Sequence, residues 1–177
     1  ALAFSKVLGL SYRRIQFTPD IMPSDITGFT MYDRESGKFR YQEGPVLQCS
    51  LLLADEINRT ASKTQAALLE VMEEKQVTVD GKSHPVQKPF LVIATQNPAG
   101  TAGTQLLPQA QLDRFLVRLS IGHPSLDMLV EILRDRQTEN PLDTMRQILK
   151  REEVLAMQQA VRTVYTSDEI LRYLGRL

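Results

Sequence analysis

LLLADEIN, Leu51 to Asn58, sets adjacent carboxylates at the end of an uninterrupted apolar run. The consecutive apolar residues Leu51 to Ala54 fit a strand buried on both faces of a parallel sheet. Sheets of that kind present ligand-binding groups at the carboxyl ends of their strands, where Asp55 and Glu56 fall. Taken alone, the octapeptide is equally compatible with a strand that ends in a solvated acidic turn. The choice rests on what surrounds it.

Downstream, FLVIAT, Phe90 to Thr95, reads as a second buried strand ending in Gln96-Asn97-Pro98, and Phe115 to Ile121 reads as a third. Upstream, Tyr12 to Phe17 alternates like a strand. Before it, Leu2, Phe4, Val7 and Leu8 have helical spacing, with Gly9 as the stop. No helix-start signal precedes them, so residue 1 is expected inside a helix, with chain missing before it. Residues 29–42 read as two aromatic-containing strands around Arg34 to Gly37. Residues 76–86 read as a hairpin, because Asp80-Gly81 suits a tight turn that needs left-handed residues. Between them, Ser62 with Gln65 has the spacing of a capping box. Ala66, Leu68, Leu69 and Met72 mark the apolar face of the helix that follows. After Pro124 the pattern is helical only, with starts at Ser125 and at Thr166 (Glu169 three residues on) and a break at Asn140-Pro141. A boundary near Gly122 therefore divides an α/β unit, residues 1–122, from the start of an all-helical one, residues 123–177.

Composition narrows the function classes. Lys plus Arg and Asp plus Glu both number 21 in 177 residues, so the chain is no bulk electrostatic magnet for nucleic acid or an anionic membrane. The single cysteine, Cys49, excludes a disulfide or a cysteine-built zinc cage within the chain and reads as a small core residue. No apolar stretch reaches the roughly 18 residues of a membrane-spanning helix. A cytoplasmic location is the expectation. His84 and His123 have no partner at metal-ligand spacing.

Two buried strands thus end in polar groups on one edge of one sheet, a combination that suits phosphate chemistry. Asp55 supplies the hard oxygen that magnesium prefers. Glu56 can take a proton from an attacking water. Asn97 can orient that water or a phosphate, and Arg114, in QLDRF, can neutralise charge developing in a transition state. Each has an ordinary alternative. Asn97 before Pro98 also suits a turn. Arg114 also suits a surface ion pair, as Arg59 suits a solvated helix start. Phe29, Tyr32, Phe39 and Tyr41 of the first hairpin also suit cross-strand packing.

LLLADEINRTASKTQAALLEVMEEKQVTVDG, then FLVIATQNP, then QAQLDRF, closely resembles the MoxR family of AAA+ ATPases. RRIQFTPDIMPSDITG resembles that family's segment downstream of its phosphate loop. The likeness runs over roughly residues 8–124, and the helical remainder is compatible with the beginning of the family's lid domain. It implies an α/β P-loop NTPase (AAA+) fold, a three-layer αβα parallel-sheet domain followed by the start of an all-α lid. It also implies ATP and Mg2+ as cofactors. By the same resemblance LLLADE is the Walker B strand, with Asp55 for magnesium through a water and Glu56 for water activation. Asn97 matches the sensor 1 position. Arg114 matches the arginine finger, which acts on nucleotide held by the neighbouring subunit of a homo-oligomeric ring, a hexamer. The 29–42 hairpin resembles the helix-2 insert, and the 76–86 hairpin resembles the one before sensor 1. Such hairpins face the ring's pore or a client protein complex, whose assembly or metal-cofactor maturation is the implied role.

The sequence also departs from the family pattern. No G-x-x-x-x-G-K-[ST] occurs, so the loop that cradles phosphates and the strand feeding it are expected in chain outside this sequence. The sensor 2 arginine is expected beyond Leu177. Gln109 stands where the family carries an acidic residue, and Gln105 or Leu106 where it carries a tyrosine. A truncated or degenerate AAA+ module that binds partners without hydrolysing ATP is the alternative reading.

Overall fold

The computed structural model describes residues 1–97, 107–138 and 140–176. Helix α1 (Leu2–Leu8), with Ala1 at its N-cap, ends at Gly9, whose φ of 60° is the left-handed conformation that closes a helix without a Cβ penalty. Strand β1 (Tyr12–Gln16) follows, then the short α2 (Pro23–Thr27) and the hairpin β2 (Gly28–Asp33) and β3 (Lys38–Glu43). Strand β4 (Leu51–Asp55) leads through a 3-10 turn, Ile57–Arg59, into α3 (Ser62–Glu74). A second hairpin, β5 (Gln76–Val79) and β6 (Lys82–Pro85), precedes β7 (Leu91–Ala94). Its turn residues Asp80 and Gly81 both have positive φ, 50° and 73°, as a two-residue turn matched to the strand twist requires. Helices α4 (Gln109–Leu112), α5 (Leu126–Thr138), α6 (Arg151–Val161) and α7 (Asp168–Leu174) complete the order.

The sheet has the order β1-β4-β7, all parallel, with Leu51 beside Tyr12 on one side and Leu91 on the other. As the middle strand, β4 is covered on both faces, and Leu51, Leu52 and Ala54 are fully buried. Burying each leucine stabilises by roughly 1.5–3 kcal/mol, so the strand that delivers Asp55 is anchored at its root. Phe17, Ile26, Val46, Ile57 and Leu68 fill the same core.

Four expectations need correction. Ser62 is not the cap of α3: the N-cap is Ala61, and Gln65 is buried, donating to the carbonyls of Ile57 (3.1 Å) and Thr60 (3.2 Å). Its amide serves buried carbonyls instead of reaching back to the helix start. Ala66 is exposed and Val71 is buried in its stead, since Ala66 lies about 200° around the helix from Leu68. Residues 115–121 form no strand, and Leu116 and Ile121 are 99% and 97% exposed. A strand needs a hydrogen-bonded neighbour, and among the described residues this segment has none. Helix α7 takes Ser167 as N-cap, one residue after Thr166.

Other expectations hold. Ser125 Oγ accepts the Met128 N–H (3.3 Å) at the start of α5, and α5 ends before Asn140-Pro141. The helical segment is tied to the rest of the chain where the Ile148 and Leu149 amides donate to the Val7 carbonyl at 2.9 and 3.0 Å. Pro98, Gln105 and Leu106 lie outside the described residues. Among the described residues, no helix is long and apolar enough to cross a membrane.

Cys49 is fully buried, its Sγ 3.3 Å from the Pro45 carbonyl, and burial pushes its thiol up to about 11. Cys49 is therefore expected to resist an aromatic disulfide reagent at pH 8 in the native protein and to react once the chain is unfolded. Rapid labelling of the native protein would place Cys49 at the surface.

Candidate functional site

The carboxyl ends of β4 and β7 build one polar edge. Pairing continues past the strands, with the Thr95 N–H on the Ala54 carbonyl (2.9 Å) and the Ile57 N–H on the Thr95 carbonyl (3.0 Å). Between them Glu56 turns the chain in a left-handed conformation, φ 56° and ψ 46°. That conformation costs a non-glycine residue of order 1 kcal/mol and is sustained by its surroundings. Here the Glu56 N–H donates to Thr95 Oγ1 at 2.9 Å. The Thr95 hydroxyl in turn donates to Asp55 Oδ1 at 2.5 Å.

From the other side β1 contributes Arg14 and Gln16, which alternation puts on one face of the strand. Arg14 donates through Nε (3.0 Å) and Nη2 (2.5 Å) to Asp55 Oδ2, and through Nη2 (2.6 Å) to Gln16 Oε1. Gln16 Nε2 and Arg59 Nη1 both donate to Glu56 Oε2, each at 2.9 Å. The result is one continuous polar chain, Thr95-Asp55-Arg14-Gln16-Glu56-Arg59, in which each acid carries one arginine. The Thr95 hydroxyl holds the Asp55 carboxyl below its ordinary value against the opposing effect of burial, and the Arg14 guanidinium adds to the lowering. Asp55 is therefore ionised at neutral pH. The Asp55 and Glu56 side chains keep 22% and 25% of their surface exposed, so both remain within reach of water.

The donor set fits a magnesium ion of a particular kind. A carboxylate offers about four lone-pair positions. Among the described residues, Arg14 engages both on Oδ2 and Thr95 one on Oδ1, which leaves a position on Oδ1. No group of three or more His, Cys, Asp or Glu that could hold a metal occurs among the described residues. Asp55 is thus suited to a magnesium ion that keeps its waters and takes other oxygens from phosphates, not to a protein-only cage.

The structure places Asn97 at the same edge, exposed, three residues beyond β7. Arg114 is elsewhere. It follows α4 and pairs with Glu73 at 3.0 Å near the far end of α3, about 16 Å along the helix from Ser62. Within one chain Arg114 is therefore not brought to Asp55 and Glu56. Beside it Gln109 donates to Asp113 Oδ1 at 3.1 Å. Arg59, read from sequence as a solvated helix-start cation, binds Glu56 of its own chain. The first hairpin does use its aromatics across strands: Tyr32 and Phe39 meet edge to face at 5.3 Å. Tyr41 instead stacks on His84 of the second hairpin at 4.2 Å, beside a cleft of about 680 Å³ between the two.

Sequence reading missed Arg14, Gln16, Thr95 and Asn58. The alternation of Arg14 and Gln16 in RIQ was a usable signal for the first two, since both then face the same way at the end of a strand beside β4. Fully buried Asn58 gave none, because asparagine after an acidic pair reads as a turn.

Residues 1–117 match the family model described as "ATPase family associated with various cellular activities (AAA)". The chain is 44% identical to the protein YeaC of Bacillus subtilis over 97% of its own length and 53% of that protein's. It is 40% identical to the chaperone MoxR1 of Mycobacterium tuberculosis over 98% of its own length and 45% of that protein's. A crystal structure from Cytophaga hutchinsonii, of a candidate ATPase, superimposes with a TM-score of 0.84 at 37% identity, over 98% of this chain and 52% of that one. The chain thus spans about half the length of the relatives it matches.

Proposed function

The chain belongs to the MoxR family of AAA+ ATPases, and on that premise we propose that the full-length protein hydrolyses ATP to remodel a client protein complex. The observation that carries the reading is the placement of Asp55 and Glu56 at the end of a buried central parallel strand, beside the strand that leads to Asn97. In this reading residues 1–122 form the core and residues 123–177 begin the lid. The subunits assemble as a hexameric ring in the cytoplasm, and client assembly or metal-cofactor maturation is the role.

Asp55 would hold magnesium through a water, on the Oδ1 position that the protein leaves open. A bound magnesium ion supplies charge neutralisation across the phosphate oxygens. Glu56 accepts the proton of the attacking water. Asn97 orients that water or the terminal phosphate, and Arg114 reaches nucleotide on the neighbouring subunit. The two hairpins face the client.

The test is phosphate release by the full-length protein with ATP and Mg2+. Release is expected to stop with a chelator, and Asp55→Asn is expected to raise the Mg2+ concentration needed for half-maximal rate by tenfold or more, on the order of one lost charge-assisted contact. Nucleotide binding without any phosphate release would overturn the hydrolytic reading. It would leave the alternative, an AAA+ module that binds partners without turnover.

A further inference from the structure

We propose that Asn58 is a positioning residue for Asn97: its buried amide fixes the backbone that carries Asn97 into the site. Three observations support this. Asn58 is fully buried, in the 3-10 turn directly after Glu56. Its amide meets both backbone polar groups of one residue 39 positions away. Asn58 Nδ2 donates to the Asn97 carbonyl at 3.1 Å, and Asn58 Oδ1 accepts the Asn97 N–H at 3.3 Å. Lastly, the turn bearing Asn58 is itself held, because Gln65 Nε2 ties the carbonyls of Ile57 and Thr60 on either side of it.

The geometry explains why an amide stands at this position. Pairing between β4 and β7 ends with Thr95, and β4's backbone then turns away through Glu56. Beyond that point the chain leading to Asn97 has lost the strand that hydrogen-bonded to it. A side-chain amide offers one donor and one acceptor side by side, as an adjacent strand does. Asn58 thus extends the sheet edge by one residue pair and couples Asn97 to the turn that sets Glu56. A serine could satisfy only part of this, and an alanine would leave both Asn97 groups without that partner.

The inference rests on the reading of Asn97 as the group that orients water or phosphate, and a double-mutant cycle separates the two. In the full-length protein, Asn58→Ala is expected to lower kcat for ATP hydrolysis by about 10²-fold, as a small misplacement of a reacting group does, with KM for ATP within about threefold of the parent. In an Asn97→Ala background the same substitution is expected to change kcat by less than about threefold, because the group it positions is gone. Equal fold-losses in both backgrounds would overturn the inference and leave the reading of Asn97 intact. An Asn97→Ala variant with parental kcat would overturn that reading, and the inference with it.

Should Asn58→Ala fail to fold, Asn58→Leu, close to asparagine in volume at this buried position, provides a readout independent of activity. It removes both the acceptor for the Asn97 N–H and the donor to the Asn97 carbonyl. Backbone amide exchange at Asn97 is expected to accelerate at least tenfold relative to Leu52 in the strand core, as an opened local segment does. Unchanged protection at Asn97 would overturn the proposal.

Discussion

Glu56→Gln in the full-length protein is expected to cut kcat for ATP hydrolysis by about 10²- to 10⁴-fold, the range of a lost general base, while nucleotide affinity stays near the parent's. The geometry makes this substitution unusually clean. Gln16 and Arg59 both donate to the same Glu56 oxygen, Oε2. A glutamine can set its carbonyl oxygen at that position and keep both bonds, so its amide nitrogen replaces only Oε1. What is lost is the oxygen left to take a proton. The left-handed backbone at Glu56, with its N–H on Thr95 Oγ1, is untouched by the change. Single-turnover phosphate release and binding of a fluorescent nucleotide, measured on the same preparation, check both halves. A variant that turns over at the parental rate removes Glu56 as the proton acceptor. One that loses nucleotide affinity tenfold or more shows that the carboxylate also holds the bound state together.

The strand that carries Glu56 is legible in sequence because a strand buried on both faces has to be apolar throughout. Leu51 to Ala54 meets that condition in a window too short for a helix. The hairpins are legible from Asp80-Gly81 and from the aromatics around Arg34 to Gly37, where local turn chemistry and cross-strand spacing decide the outcome. Residues 115–121 fail for the opposite reason. Their apolar residues permit a strand, but pairing is a property of a neighbour, and Leu116 and Ile121 stand exposed. Ser62 and Gln65 have the spacing of a cap, yet the buried carbonyls of Ile57 and Thr60 compete for Gln65 and win.

The same distinction runs through the site. Asp55 and Glu56 are visible because their position at a strand end is a local fact. The arginine on Asp55 is not. Arg14 reaches Asp55 across 41 positions of sequence, and Asn58 reaches Asn97 across 39, so both contacts exist only once β1, β4 and β7 lie side by side. Long-range polar partners of this kind come from sheet order, which a single sequence does not display.

Arg114→Ala is expected to lower ATP turnover by about 10³-fold or more in the assembled protein, the scale of a lost arginine finger, and to leave the unassembled subunit unchanged. In its own chain Arg114 lies near the far end of α3, paired with Glu73, with 43% of its side chain exposed. An exposed pair of this kind contributes at most about 1 kcal/mol, so it neither explains a large loss of turnover nor prevents the guanidinium from moving to a neighbour. Glu73→Ala, which breaks the pair and leaves the arginine, is the control and is expected to retain parental turnover. Mixing Arg114→Ala with Glu56→Gln gives the decisive comparison. Each is inactive alone, but in a head-to-tail ring about a quarter of the interfaces join an intact Glu56 to an intact Arg114 from the next subunit. Partial recovery of turnover in the mixture is the expected result. No recovery, in rings shown by mass to contain both variants, would confine Arg114 to its pair with Glu73.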